Sequence, residues 1–157
     1  LSLVTMGALI AVKDNGRALL LMHGVILAGF AVLGLSTLAF QRELLSPIAW
    51  MIAGGAGLYL AYTPFNAMLF DRMIAYSGTV ATAGFLIYVA DASGYLGSVV
   101  LLLVRNFAAV DLPWLPFFVG AAYVTSLAGA ALVAAAALVL LRKRSDAPNH
   151  PIVQAAG

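Results

Sequence analysis

Cysteine is absent from the 157 residues, and charge is scarce: Asp, Glu, Lys and Arg make up 9% of the chain, against roughly 25% in an ordinary soluble domain. The first absence removes a disulfide framework, a thiolate metal site and a cysteine nucleophile. Two histidines, one of them in the C-terminal tail, cannot build a histidine-rich metal site. The sequence also lacks a GxxxxGK[ST] phosphate loop, a GxSxG elbow and an HExxH pair, each of which would carry a recognisable chemistry. With no nucleophile–base pair and no metal cluster, enzymatic activity is not expected, and neither is a cofactor. The eight basic residues fall at the ends of apolar runs, a placement that fits membrane topology and not nucleic-acid binding.

What is present is hydrophobic. Apolar residues make up 64% of the chain, and the mean hydropathy is +1.04. A water-soluble fold of this size could not hide so much apolar surface, because much of any small domain stays exposed. The composition therefore points to an integral membrane protein whose first partner is the lipid bilayer.

A spanning helix needs about 20 mostly apolar residues. Residues 1–12, "LSLVTMGALIAV", are too few and read as the end of a truncated span. This suggests the C-terminal piece of a longer protein, with the N-terminal half of the same protein as a missing partner. "KDNGR" at 13–17 is a polar turn, and 18–40 spans without a charge. "QRELLS" at 41–46 is a short loop ending in Ser46-Pro47, an N-cap followed by a first-turn proline. Residues 47–66 span again, and Pro64 is expected to kink or end that helix. Residues 67–78 read as an interfacial loop or short amphipathic helix, 79–104 as a span, 105–116 as an interfacial connection and 117–141 as the last span. The expected fold is all-α: a polytopic transmembrane bundle of one truncated and four full helices within 1–145, followed by a polar, disordered tail at 146–157.

Lys13, Arg17, Arg72, Arg142, Lys143 and Arg144 fall on one side of this arrangement, and Arg42 and Arg105 on the other. Basic residues in short loops mark the cytoplasmic side. The expected location is thus the cell (cytoplasmic) membrane, multi-pass, with a cytoplasmic C-terminus. Small residues at four-residue spacing, Ala49, Ala53, Gly57 and Ala61 on one helix and Ala122, Ser126 and Ala130 on another, predict close helix packing.

One ionisable residue stands inside a span. Asp91 lies within "GFLIYVADASGYLGSVVLLLV" (84–104), 12 residues from Thr79 and 13 from Val104. A carboxylate at that depth costs ~2.5–3.5 kcal/mol on insertion scales and usually faces a bundle interior or a water-filled cavity. Residues three and four apart share a helical face, so Gly84, Tyr88, Tyr95 and Ser98 form a polar stripe with Asp91, while Ala90, Gly94 and Gly97 offer an adjacent face to a neighbouring helix. Tyr59, Tyr62 and Asn66 repeat the pattern beside Pro64. Asp91, Tyr88, Tyr95, Ser98, Tyr62, Asn66 and Tyr59 are candidates to line a pathway for a small polar solute. The competing reading is structural: a carboxylate held by tyrosine hydroxyls or by an arginine of another helix, and tyrosines placed at a headgroup boundary. His23 reads as a packed or interfacial side chain, and Asp71-Arg72 as a local or inter-loop salt bridge, one that could help gate a conformational change.

The order of spans and turns resembles the C-terminal half of a major facilitator superfamily (MFS) transporter, the end of helix 8 followed by helices 9–12. The superfamily's basic turn, roughly G-x-x-x-D-[RK]-x-G-[RK]-[RK], is matched here by Gly16 and Arg17, whereas Lys13 and Asp14 reverse the acid-then-base order. Asp14 and Arg17 thereby join Asp71 and Arg72 as candidate cytoplasmic gating residues. "GLYLAYTPFNAMLFDRMIA" and "GFLIYVADASGYLGSV" are similar to an uncharacterised bacterial family placed in that superfamily. The matching positions are Tyr62, Pro64, Phe65, Asn66, Phe70, Asp71 and Arg72, then Tyr88, Ala90, Asp91, Gly94 and Tyr95. The resemblance implies most of one six-helix half of a permease that works by alternating access, with proton coupling as one mode. The alternative is a non-transporting membrane protein, an assembly partner or sensor on the same scaffold.

Overall fold

A computed structural model describes residues 2–78, 80–107 and 113–146. All regular structure among them is helical. Helix α1 spans Ser2–Ile10, α2 Asn15–Gln41 and α3 Pro47–Pro64. A π-helical turn at Phe65–Leu69 carries α3 directly into α4, Phe70–Ser77, and α5 (Ala83–Phe107) and α6 (Trp114–Asp146) follow. Three of these helices, α2, α5 and α6, are long and apolar enough to cross a membrane. Helix α3 is not among them, because its glycines, tyrosines and prolines dilute its apolar residues. The predicted tail begins at the last residue of α6, and 147–157 lie outside the described residues, as does 108–112 of the 105–116 connection.

Local chemistry sets the helix ends. Asp14 (φ −76°, ψ 118°) caps α2 by accepting a hydrogen bond from the Arg17 backbone N–H at 2.6 Å, and so satisfies one orphan donor of the first turn. At the other end, Leu44 N–H donates to the Ala39 carbonyl (2.9 Å) and Glu43 N–H to that of Phe40 (3.0 Å). This is a Schellman motif in which Glu43, at φ 59°, occupies the left-handed position usually given to glycine. Ser46 and Pro47 open α3 as their sequence predicts: the Ser46 hydroxyl accepts from Ala49 N–H at 3.3 Å. Pro64 ends α3 as an α-helix, and the chain continues helically in a π turn. Lacking an N–H, it is followed by Phe65, whose N–H bonds the Tyr62 carbonyl, and the strand of backbone bonds resumes in wider π turns. Gly78, at φ 64°, closes α4 with its N–H on the Ile74 carbonyl.

Helix α2 is the axis of the fold. It packs on α3 along one side and on α6 along another, and it contributes most of the buried residues, among them Leu19, Met22, Ile26, Leu33 and Thr37. At the α2–α3 crossing the two backbones touch. A Cβ built on Gly29 would lie 2.6 Å from the Gly57 carbonyl oxygen and 2.7 Å from the Ala61 nitrogen, and one on Gly57 would lie 2.7 Å from the Gly29 oxygen. Of the predicted seam, Gly57 and Ala61 are buried at this contact, joined by Gly54, while Ala49 and Ala53 are half-buried. Towards the α2–α3 turn, the Phe40 and Trp50 rings stack at 4.4 Å, and the Trp50 indole N–H donates to the Thr37 hydroxyl at 3.1 Å.

The α2–α6 contact pairs small groups with large ones. The Ser126 hydroxyl donates to the Phe30 carbonyl at 2.8 Å, and Tyr123 O–H donates to the Gln41 side-chain oxygen at 2.7 Å. The Phe30 ring lies over Gly129, where a Cβ would fall within 3.0 Å of it. Helix α5 differs from the other long helices: none of its residues is buried, and it packs closely only on α4, which precedes it. The predicted small face of α5 has no neighbour, since a Cβ on Gly94 or Gly97 would meet nothing within 4 Å.

Because the atoms facing Gly57 are backbone, they cannot rotate aside. Gly57→Val is expected to cost about 1–3 kcal/mol by overpacking. Gly55→Ala on the open face of the same helix, where a Cβ meets nothing, is expected to hold or raise stability by up to about 1 kcal/mol. Unfolding of the two purified variants in detergent compares them directly.

Candidate functional site

At the end of the bundle where α2 begins, α4 is tied across it. The Arg72 guanidinium donates to the Asn15 side-chain oxygen at 2.8 Å, and the Tyr76 ring lies 3.1 Å from where a Gly16 Cβ would stand. The expected Asp71–Arg72 salt bridge is not formed. Arg72 turns to Asn15, while Asp71 points to the exposed side of α4, because adjacent helical residues diverge by ~100° around the axis. Asp14 and Arg17 also take a local role: Asp14 serves as the cap of α2, with the Arg17 backbone and not its guanidinium as donor.

Between α2, the π turn, α4 and α6 lies a cavity of about 1080 Å³. Leu19, His23 and Ile26 line it from α2, Phe65, Leu69 and Met73 from the π turn and α4, and Leu132, Ala136, Leu140 and Lys143 from α6. His23 is 8% exposed, and its Nδ1 sits 2.7 Å from the Leu19 carbonyl. Because a carbonyl oxygen only accepts, Nδ1 is the donor in that contact. The histidine is therefore packed and satisfied at Nδ1, as its position in the sequence suggests. A second, smaller cavity of about 550 Å³ lies at the opposite end, bounded by Trp50, Trp114 and Phe118. There the Arg105 guanidinium stacks 4.6 Å above the Trp114 ring.

The pathway candidates divide into two sets that the structure does not bring together. Tyr59 and Tyr62 are exposed on α3. Asn66 falls inside the π turn, half-buried, with its side-chain oxygen buried and without a hydrogen-bond partner. Such an orphaned acceptor costs about 1–3 kcal/mol when nothing fills its place, and π turns recur at functional positions. On α5, Asp91 is half-buried, while Tyr88 and Tyr95 are 77% and 74% exposed. Neither tyrosine bonds the carboxylate, and Ser98 donates to the Gly94 carbonyl of its own helix at 3.0 Å. Among the described residues Asp91 has no hydrogen-bond or ion-pair partner. The stripe is present on the helix surface, but α5 does not pack on α3 to join it to Tyr59, Tyr62 and Asn66.

Several residues that hold this arrangement gave little sign in the sequence. Asn15, Thr37, Gln41 and Tyr123 each act through a side chain from a distant segment. Asn15 and Arg72 are 57 residues apart, and Gln41 and Tyr123 are 82 apart. A single sequence does not reveal such pairs. The Asn15–Arg72 bond is expected to show a coupling of about 1–2 kcal/mol in a double-mutant cycle of Asn15→Ala and Arg72→Ala, the size of a charge-assisted hydrogen bond in a partly buried place. An Asp71→Ala and Arg72→Ala cycle is expected to show none. Both can be read from unfolding in detergent.

No curated protein and no solved structure matches the chain. Over residues 1–144 it matches a family described as Family of unknown function (DUF5690). That match covers nearly the whole of the chain, which therefore belongs to the DUF5690 family.

Proposed function

We propose that this chain is part of a secondary active transporter of the MFS type, most of one six-helix half, moving a small polar solute by alternating access. The observation that carries this reading is Asp91. It is a carboxylate with no partner among the described residues, in the first half of the 25-residue apolar helix α5, in line with two tyrosines and beside glycines that leave the face open. A carboxylate held only for structure would be expected to have its partners in place. This one is half-buried, and the tyrosines on either side of it are exposed, open to further helices of a permease. Secondary transporters place their sites near the midplane at such an interface, and use broken helices to line them. The π turn after Pro64, with the unpaired Asn66 oxygen, is a second element of that kind.

The proposal extends to four full spans and one partial span, the helix α3–α4 being the third, with a cytoplasmic C-terminus. The Asn15–Arg72 bond and the cavity joining Leu19, Ser77 and Lys143 gather the basic majority at one end of the bundle. Arg105, stacked on Trp114 beside the smaller cavity, lies at the other. The excess of Lys and Arg at one end is what orients such a bundle.

None of the 157 residues is a cysteine, so in a protein cleared of any other cysteine a single introduced thiol reports its own position. Single cysteines at Tyr95 and Ser98 on the Asp91 face, and at Val89 and Val100 on the opposite face, are compared for reaction with a membrane-impermeant thiol reagent in intact cells. A water-filled pathway along the stripe predicts labelling roughly tenfold faster at the first pair. Equal rates on both faces would overturn the pathway and leave a non-transporting scaffold.

A further inference from the structure

The larger cavity has a shape and a charge pattern that the transport reading does not use. Along α6 its lining runs from Leu132 to Lys143, which is about 16 Å at the helical rise of ~1.5 Å per residue. The hydrocarbon of one leaflet is half of a core roughly 30 Å thick, so the groove is as deep as one layer of acyl chains. At about 1080 Å³ it exceeds the ~300–1,000 Å³ typical of sites for drug-sized solutes. Its walls are hydrocarbon almost throughout, and no carboxylate lines it among the described residues. The one charged lining residue, Lys143, is the last lining residue along α6 and stands on its exposed last turns. The exposed side chains of Leu132 (73%) and Val139 (55%) leave the α6 wall open to the bilayer.

We infer that this groove is a binding site for one anionic phospholipid. An acyl chain lies along Ile26, Leu69, Leu132 and Ala136, and the phosphate is held by the Lys143 ammonium. The match is between charge and depth: a single cation at the headgroup level above one leaflet's length of apolar wall. Basic pockets between spanning helices bind acidic headgroups in this way. The site needs only that the helices lie in a membrane, and it stands whether or not they translocate a solute.

The test is native mass spectrometry of the full protein in non-ionic detergent, titrated with phosphatidylglycerol or with phosphatidylcholine bearing the same acyl chains. The wild-type protein is expected to retain phosphatidylglycerol in preference. Lys143→Ala should lower that retention roughly fivefold, the share of one basic residue at a membrane surface, and leave phosphatidylcholine unchanged. Ala136→Trp, which fills the groove from an exposed position on α6, should lower retention of both lipids. Arg142→Ala and Arg144→Ala, whose side chains do not line the groove, should change neither. Equal retention of the two lipids by the wild type would overturn the site. So would a loss with Arg142→Ala as large as with Lys143→Ala, or an Ala136→Trp variant that binds as before. Far-ultraviolet circular dichroism of each variant checks that the helices are intact.

Discussion

Everything in this bundle is arranged around the place where the backbones of α2 and α3 meet, Gly29 against Gly57 and Ala61. In lipid the hydrophobic effect does not drive helices together, because a leucine gains nothing by leaving hydrocarbon for another leucine. Association rests on close van der Waals packing and on the few hydrogen bonds that cross between helices. Two glycines opposite one another let the axes approach until backbone touches backbone. From that fixed crossing, Leu33 is set against Gly54 and Trp50 is brought over Phe40 within reach of Thr37. The continuation of α3 through the π turn then swings Arg72 to Asn15.

The same physics separates α6 from α5. Helix α6 offers α2 a glycine under Phe30, a serine for its carbonyl and a tyrosine for Gln41, so it has both shape and polar bonds to hold it. Helix α5 also carries glycines, but no complementary bulk stands opposite them. Small residues permit an approach without causing one. An aspartate, two tyrosines and three glycines on one unpacked helix make a surface that costs energy in bare lipid.

Much of the architecture was legible in the residues, and the parts that were not have a common cause. The start of α3 showed because it is local, Ser46 capping the turn within three residues of it; Asp14 caps α2 in the same way but was read as a gating residue. The seam on α3 showed because Gly57 and Ala61 repeat at helical spacing. Its counterpart Gly29 did not, since nothing in α2 alone distinguishes it from Gly24, which meets nothing. Pro64 ends the α-helix as expected, but the π turn that carries the chain on into α4 was not foreseen. Proline removes one donor, and whether the helix then stops or widens depends on what holds the next turn, here the anchoring of α4 to α2. Of the candidate site, the stripe along α5 is a matter of periodicity alone and is there on the helix. Its meeting with Tyr62 and Asn66 is a tertiary matter, which periodicity does not address.

The widened turn at Phe65–Leu69 leaves α3 and α4 one residue out of phase with a continuous α-helix. Each face of α4 therefore points where it does because of a surplus residue stored upstream, not because of its own sequence. Arg72 and Tyr76 lie beyond that turn, so their contacts with Asn15 and Gly16 depend on the offset it introduces.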